Sequence, residues 1–255
     1  MNVKKLFDLT NEKAIVTGAA QGLGKEMAIA MAEGGADVAI VDINMDGALK
    51  VSKSIQALGV DSIPVKTDVT KIAEVENMVK LVKERFGKIT ILINNAGIVN
   101  NVPAEKLTKE EWDKVMEVNL TSVFLCAQIV GKEMIKNKKG NIINISSMSG
   151  LIVNRPQPQI HYNTSKAGVI MITKSLAAEW AKYNIRVNAI VPGYMRTPLV
   201  DKVFPQYGKG WSSLVPMGRL GDPLEIKGPA LFLASRASSY VTGSILVMDG
   251  GYTVW

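Results

Sequence analysis

The 255-residue chain holds one cysteine, Cys126, and one histidine, His161. A lone cysteine closes no disulfide within the chain, and no Cys/His cluster has metal-ligand spacing, so no metal is expected. Cys126 reads as a buried, inert helix residue. Aromatic residues make up only 6% of the chain and do not interleave with the basic ones. The net charge of +7 therefore reads as a lysine-rich solvated surface, with no nucleic acid among the expected partners. The densest basic run, KNKK at 136–139, falls where a helix should end, and cations suit that pole of the helix dipole. No run of 18 or more uncharged apolar residues appears, which argues against a membrane span. The start, MNVKKLFDLTNEK, lacks an apolar signal core, and a cytoplasmic location is expected. No linker, repeat or low-complexity tract divides the chain, so residues 1–255 are expected to form a single domain.

What is present is an alternation. Short runs rich in Ile and Val (14-AIVTG, 38-VAIVD, 62-SIPVK, 89-ITILINN, 141-NIINIS, 185-IRVNAIVPG, 244-SILVMDGG) are separated by segments of helical length, among them 23–34, 45–58, 71–86, 108–136 and 163–182. The runs lack strict polar alternation, as strands buried on both faces should. Strand–helix repetition with right-handed crossovers predicts an α/β fold: a Rossmann-like, doubly wound domain with a seven-stranded parallel sheet flanked by helices. The stretch 193–223, without clear period, leaves the carboxyl edge of that sheet and is expected to cover a substrate.

The first strand runs into 17-TGAAQGLG-24 and then a helix. Glycines at 18, 22 and 24 permit a tight turn and a close approach of backbone to a pyrophosphate at a helix N-terminus. The second strand ends on Asp42, whose carboxylate can accept both hydroxyls of an adenine ribose and repel a 2′-phosphate. Gln21 precedes Gly22 and Ile43 follows Asp42, so no cation is placed for that phosphate and NAD is favoured over NADP. Taken alone, Asp42 also suits a turn or a helix cap. The fourth strand ends in 94-NNAG-97, where Asn95, Ala96 and Gly97 suit an adenosine or an ordinary turn equally.

In 161-HYNTSK-166, Tyr162 and Lys166 are four apart and share a helix face. A free phenol has a pKa of roughly 10, too high for a base at neutral pH. A neighbouring ammonium and a positive nicotinamide ring both favour phenolate. Tyr162 can then take the proton of an alcohol as hydride leaves the same carbon. Ser147, just past the fifth strand, can hydrogen-bond the substrate oxygen. Asn119 lies inside an apolar-periodic segment, where asparagine is unfavourable and needs a reason. His161 should not share the face of Tyr162, and a substrate-facing role is the most it is assigned.

Together TGAAQGLG, Asp42, Asp68-Val69, NNAG, Asn119, Ser147, Tyr162-x-x-x-Lys166 and 192-PG-193 resemble the short-chain dehydrogenase/reductase family over nearly the whole chain. The resemblance implies that Gly18, Gln21, Gly22, Leu23 and Gly24 face the pyrophosphate and its ribose. It implies that Asp68 and Val69 lie at the adenine and Asn95 beside the adenosine ribose. The backbone from Pro192 through Gly193 and Met195 to Thr197 would hold the nicotinamide amide. Asn119 would kink its helix and hold a water linking Lys166 to solvent. Fourteen residues separate Ser147 from Tyr162, two more than is commonest in the family, so the loop between them has its own path.

That loop and the ending 249-DGGYTVW-255 look like those of sugar-alcohol and ketose members. Ser149, Asn154, Gln157 and Gln159 then offer a polar wall for hydroxyls, and the expected partner is a small-molecule polyol or ketose. Arg155 and Arg196 keep a sugar acid open as substrate. A 3-oxoacyl reductase is disfavoured because such members usually prefer NADP, and an inactive NAD-binding scaffold is the reading from another class. Family members of this length assemble as homotetramers, with helices around 108–136 and 163–182 in the interface.

Overall fold

The computed structural model describes residues 2–201 and 204–254. Seven strands form one sheet: β1 (Lys13–Thr17), β2 (Asp37–Asp42), β3 (Ser62–Lys66), β4 (Ile91–Asn94), β5 (Gly140–Ile145), β6 (Ile185–Pro192) and β7 (Ile245–Met248). Their order is β3-β2-β1-β4-β5-β6-β7, and every pairing is parallel. The helices are α1 (Gly22–Glu33), α2 (Met45–Gln56), α3 (Ile72–Phe86), α4 (Lys109–Met116), α5 (Ser122–Asn137), α6 (Ile160–Trp180), α7 (Pro198–Asp201), α8 (Phe204–Leu214) and α9 (Lys227–Ala234).

Strand side chains alternate between two cores, because successive residues point to opposite faces. Val16, Ile40, Ile93 and Ile143 pack with Met27, Met31 and Leu233 on one side. Ile15, Val41, Leu92 and Ile142 pack with Met78, Val82, Cys126 and Met134 on the other. Both faces are apolar, which is why the strands read as near-continuous hydrophobic runs. Burial pushes the Cys126 thiol up to about 12, and the thiol is inert. Strand order reverses between β1 and β4, so their carboxyl ends open the crevice where ligands bind in such sheets.

Three elements differ from the sequence expectations. The 108–136 segment is interrupted: α4 opens on a Thr108–Glu111 capping box, and a π-helical turn over Glu117–Thr121 precedes α5. The joined helix, Lys109–Asn137, has the length and hydropathy of a membrane span, with 44% of its apolar window buried. Its buried side chains Cys126, Ala127, Val130 and Met134 pack into the sheet's second core, the place of a core helix. Helix α6 begins at residue 160 rather than 163, which brings His161 and Tyr162 onto the helix of Lys166. The aperiodic 193–223 stretch contains α7 and α8, with positions 202 and 203 outside the described residues.

The glycines of the first turn do different work. Gly18 (φ 63°) and Gly22 (φ 57°) adopt left-handed backbone that favours glycine. Gly24 is buried, and a Cβ there would stand 2.2 Å from the Gly18 carbonyl oxygen and 2.4 Å from Asn95 Nδ2. Gly24→Ala is therefore expected to destabilise the fold by about 1–3 kcal/mol through overpacking. Urea unfolding checks this, and an unchanged midpoint would show that the turn has room.

Candidate active site

A cleft of about 800 Å³ runs along the carboxyl ends of the strands, within the range of roughly 300–1,000 Å³ usual for small-ligand sites. At one end lie Gly18, Gln21, Gly22 and Leu23, where α1 begins with no side-chain cap from Gln21. Its first-turn N–H groups suit an anion. Gly24 does not line the cleft; it seats α1 against the Gly18 turn.

Asp42 and Ile43 form the next stretch of wall. The Asp42 carboxylate accepts from Ala20 N–H at 3.0 Å and Asn44 N–H at 2.9 Å. The turn role and a cleft-facing role coexist, since each oxygen keeps a lone pair. Asp68 and Val69 follow, and Thr70 donates from both backbone and hydroxyl to Asp68, whose carboxyl is held below its ordinary range chiefly by the hydroxyl. Lys114, Glu117 and Val118 close this end. Sequence reading missed these three, although they sit within a turn or so of Asn119 on the same helical run.

Asn95 lines the cleft, but its amide is committed: Nδ2 donates to the carbonyls of Thr17 and Gly18, each at 3.0 Å. It ties the end of β4 to the first turn, and Ala96 and Gly97 continue the floor. Gly97 marks a convergence, because a Cβ there would lie 3.3 Å from Asn119 Oδ1 and 3.5 Å from Lys166 Nζ.

Asn119 is fully buried in the π turn, so an exposed position is excluded. It brackets the Ile98 backbone, accepting from its N–H and donating to its carbonyl, both at 2.8 Å, and donates to Ser165 Oγ at 3.3 Å. The π turn accounts for a helix bend at this residue.

Lys166 is buried, and its Nζ donates to the Ile145 carbonyl at 2.9 Å and sits 5.6 Å from the Tyr162 ring centroid. Burial lowers the ammonium to about 8. Tyr162 departs from the expectation of a lowered phenol. Desolvation raises it, and a hydrogen bond with Ser147 opposes that rise. Ser147, Tyr162 and Lys166 line the cleft together with Pro192, Gly193, Met195 and Thr197. The longer loop between Ser147 and Tyr162 thus leaves both side chains at one site.

The expected substrate wall is largely turned inward. Ser149, Asn154 and Gln157 are buried and do not line the cleft. Gln157 donates to Tyr194 Oη at 2.8 Å and accepts from the Trp211 indole N–H at 3.1 Å, while Asn154 donates to Tyr194 Oη at 3.4 Å. Tyr194 and Trp211 stack at 4.3 Å, fastening α8 to this loop. Sequence reading missed both aromatics, whose only local signal was their place in the aperiodic covering stretch. Among the described residues, Asn154 Oδ1 is buried without a partner. Arg155 and Arg196 are exposed and do not line the cleft. His161 has no substrate-facing role here: it is fully buried and its Nε2 pairs with Asn100 Oδ1.

The chain is similar to known proteins over nearly its whole length. A family model described as enoyl-(acyl carrier protein) reductase matches residues 18–253. Galactitol 2-dehydrogenase of Rhizobium johnstonii is 41% identical over 258 residues, covering all of both chains. The NADP-dependent mannitol dehydrogenase of Alternaria alternata is 43% identical, over 99% of this chain and 96% of its own. The crystal structure of a short-chain type dehydrogenase/reductase from Mycobacterium marinum superposes with a TM-score of 0.97 at 43% identity, over 99% of each chain. With a seven-stranded parallel sheet and a tyrosine–lysine pair at its carboxyl edge, the chain belongs to the short-chain dehydrogenase/reductase family of nicotinamide-dependent oxidoreductases.

Proposed function

We propose that the protein is an NAD-dependent oxidoreductase that interconverts a secondary alcohol of a polyol and the ketone of the corresponding ketose. The observation that carries this reading is one cleft joining the Gly18–Asp42 end to Ser147, Tyr162 and Lys166. The residues fit a dinucleotide: a side chain at Gly18 or Gly97 would crowd the floor, and α1 presents an uncapped N-terminus. When bound, the nicotinamide cofactor accepts or donates the hydride.

The chain's own residues handle the proton and the oxygen. Tyr162 takes the hydroxyl proton in oxidation and returns it in reduction. Ser147 donates to the substrate oxygen and steadies charge developing there. Lys166 supplies a buried positive charge beside the phenol, and Asn119 holds the Ile98 backbone at the cleft wall. A water at Asn119, leading from Lys166 to solvent, completes the proton path. Gly18, Gln21, Gly22 and Leu23 bind the pyrophosphate, Asp42 the adenosine ribose, and Asp68 and Val69 the adenine. The segment from Pro192 to Thr197 holds the carboxamide.

A neutral polyol is favoured over a sugar acid because Arg155 and Arg196 stand outside the cleft lining. Galactitol and mannitol dehydrogenases among the relatives support the same class. Exposed Phe124 on α5 and Met171 on α6 support a homotetramer through those helices, which sedimentation velocity tests. The protein is read as cytoplasmic, acting on a small molecule without nucleic acid or membrane. Incubation with NAD⁺ across hexitols, pentitols and sugar acids tests the substrate class. Turnover of a neutral polyol is expected, and turnover of sugar acids alone would overturn the class and make the two arginines the residues to examine.

A further inference from the structure

Three buried side chains form a chain of hydrogen bonds that ends on Ser147. Gln159 sits at the N-cap of α6, three residues before Tyr162, and makes no side-chain cap bond. Its Nε2 carries two protons. One goes to Asn163 Oδ1 at 2.9 Å and the other to Ser149 Oγ at 3.2 Å. Ser149 Oγ lies 3.1 Å from Ser147 Oγ, and the Ser149 backbone N–H donates to Ser147 Oγ at 3.2 Å. Ser147, Ser149 and Gln159 are 9%, 5% and 6% exposed, so bulk water barely competes for these groups.

A hydroxyl has one proton and two lone pairs. The contact between Ser147 and Ser149 can therefore run in either direction. If Ser147 donated, Ser149 Oγ would accept from both Ser147 and Gln159, and its own proton would be buried without an acceptor, which is costly. If Ser149 donates, every proton in the chain is paired. Both lone pairs of Ser147 are then filled, by the N–H and the O–H of Ser149. Its own O–H is the one group left, shared between Tyr162 and a substrate oxygen in the cleft that both residues line.

We propose that Gln159 is a positioning residue that acts through Ser149 to hold Ser147 as an obligate donor toward the substrate oxygen. This rests on the proposed roles of Ser147 and Tyr162 in alcohol–ketone chemistry. It gives Ser149 and Gln159 a task other than contacting substrate hydroxyls. The sense of the contact is set by the amide: a donor at position 159 turns Ser149 toward Ser147, whereas an acceptor turns it away.

Gln159→Glu and Gln159→Met separate these cases at nearly constant volume. A carboxylate accepts from Ser149, so Ser149 no longer donates to Ser147 and instead offers a lone pair that draws the Ser147 proton away from the substrate oxygen. The expected kcat falls about 100-fold in Q159E, the scale for one lost oxyanion donor, and about tenfold in Q159M, with KM and NAD affinity near wild type in both. Placing Q159E in a Ser149→Ala background controls for a direct effect of the new charge on Tyr162 and Lys166. Its effect should shrink to within about twofold there, because neighbours acting through one another are not additive. Wild-type kcat in Q159E, or an undiminished loss without Ser149, overturns the proposal. Should Q159E not fold, the same cycle run with Q159M decides it on the same terms. Ser147→Ala separates the two levels. If it retains turnover, the reading of the site fails, and if it alone loses turnover, only the role of Gln159 fails.

Discussion

Tyr162→Phe is expected to lower kcat for alcohol oxidation by about 10²–10⁴-fold, the scale of a positioned general base, while NAD still binds. The change removes one oxygen from a half-buried ring on a long helix, so the fold should persist. The wild-type pH profile gives the loss its signature. Desolvation holds the phenol above its ordinary value, so at neutral pH it is mostly protonated. It is then ready to give a proton to a carbonyl and short of the form that takes one. Oxidation should climb as pH rises from 7, while reduction should hold level until the phenol itself begins to titrate. Above about 8, Lys166 loses its own proton and ceases to favour phenolate, which flattens the climb. Steady-state rates in both directions check the sign. Near-wild-type turnover in Tyr162→Phe would remove the phenol from the mechanism, whereas loss of turnover with NAD binding intact separates an enzyme from a binding scaffold.

Asp42→Ala with Ile43→Arg is expected to reverse cofactor preference, moving the ratio of kcat/KM for NAD⁺ over NADP⁺ by about 100-fold or more, where each tenfold corresponds to about 1.4 kcal/mol. Asp42 is fixed by N–H donors from Ala20 and Asn44, so it cannot swing away from an incoming phosphate. Removing it takes away a repulsion and frees the Ala20 N–H as a donor, and an arginine adds a bidentate partner for phosphate. Under the proposed function, repulsion at Asp42 is what selects the unphosphorylated cofactor. A ratio that stays put would mean that the Asp42 carboxylate serves only its turn.

The strands and the residues that line one cleft at their carboxyl ends were the most legible features of the chain. The Ile/Val runs mark β1 to β7 because each strand feeds two apolar cores, and spacing puts Tyr162 and Lys166 on one helix face, while their proposed role comes from the motifs around them. What the sequence concealed depends on contacts between distant residues. Gly24 looks like a phosphate glycine, yet its closeness to the Gly18 carbonyl and Asn95 arises only when β1 and β4 lie side by side. Asn154 and Gln157 look like readers of hydroxyls until Tyr194 and Trp211 arrive from 37 or more residues away. Spacing reveals the lysine beside Tyr162 but not the burial, which raises the phenol in the protein alone, before a positive nicotinamide ring adds its pull.

The most direct measurement follows hydrogen rather than absorbance alone. A hexitol or pentitol carrying deuterium at its secondary carbinol carbons is incubated with the protein and NAD⁺, and the reduced cofactor is analysed by mass spectrometry. One deuterium per turnover in the nicotinamide ring, with a ketose as the other product, is the expected result. Unlabelled reduced cofactor, or no turnover by protein that binds NAD⁺, would contradict hydride transfer from a polyol at the Ser147–Tyr162 site.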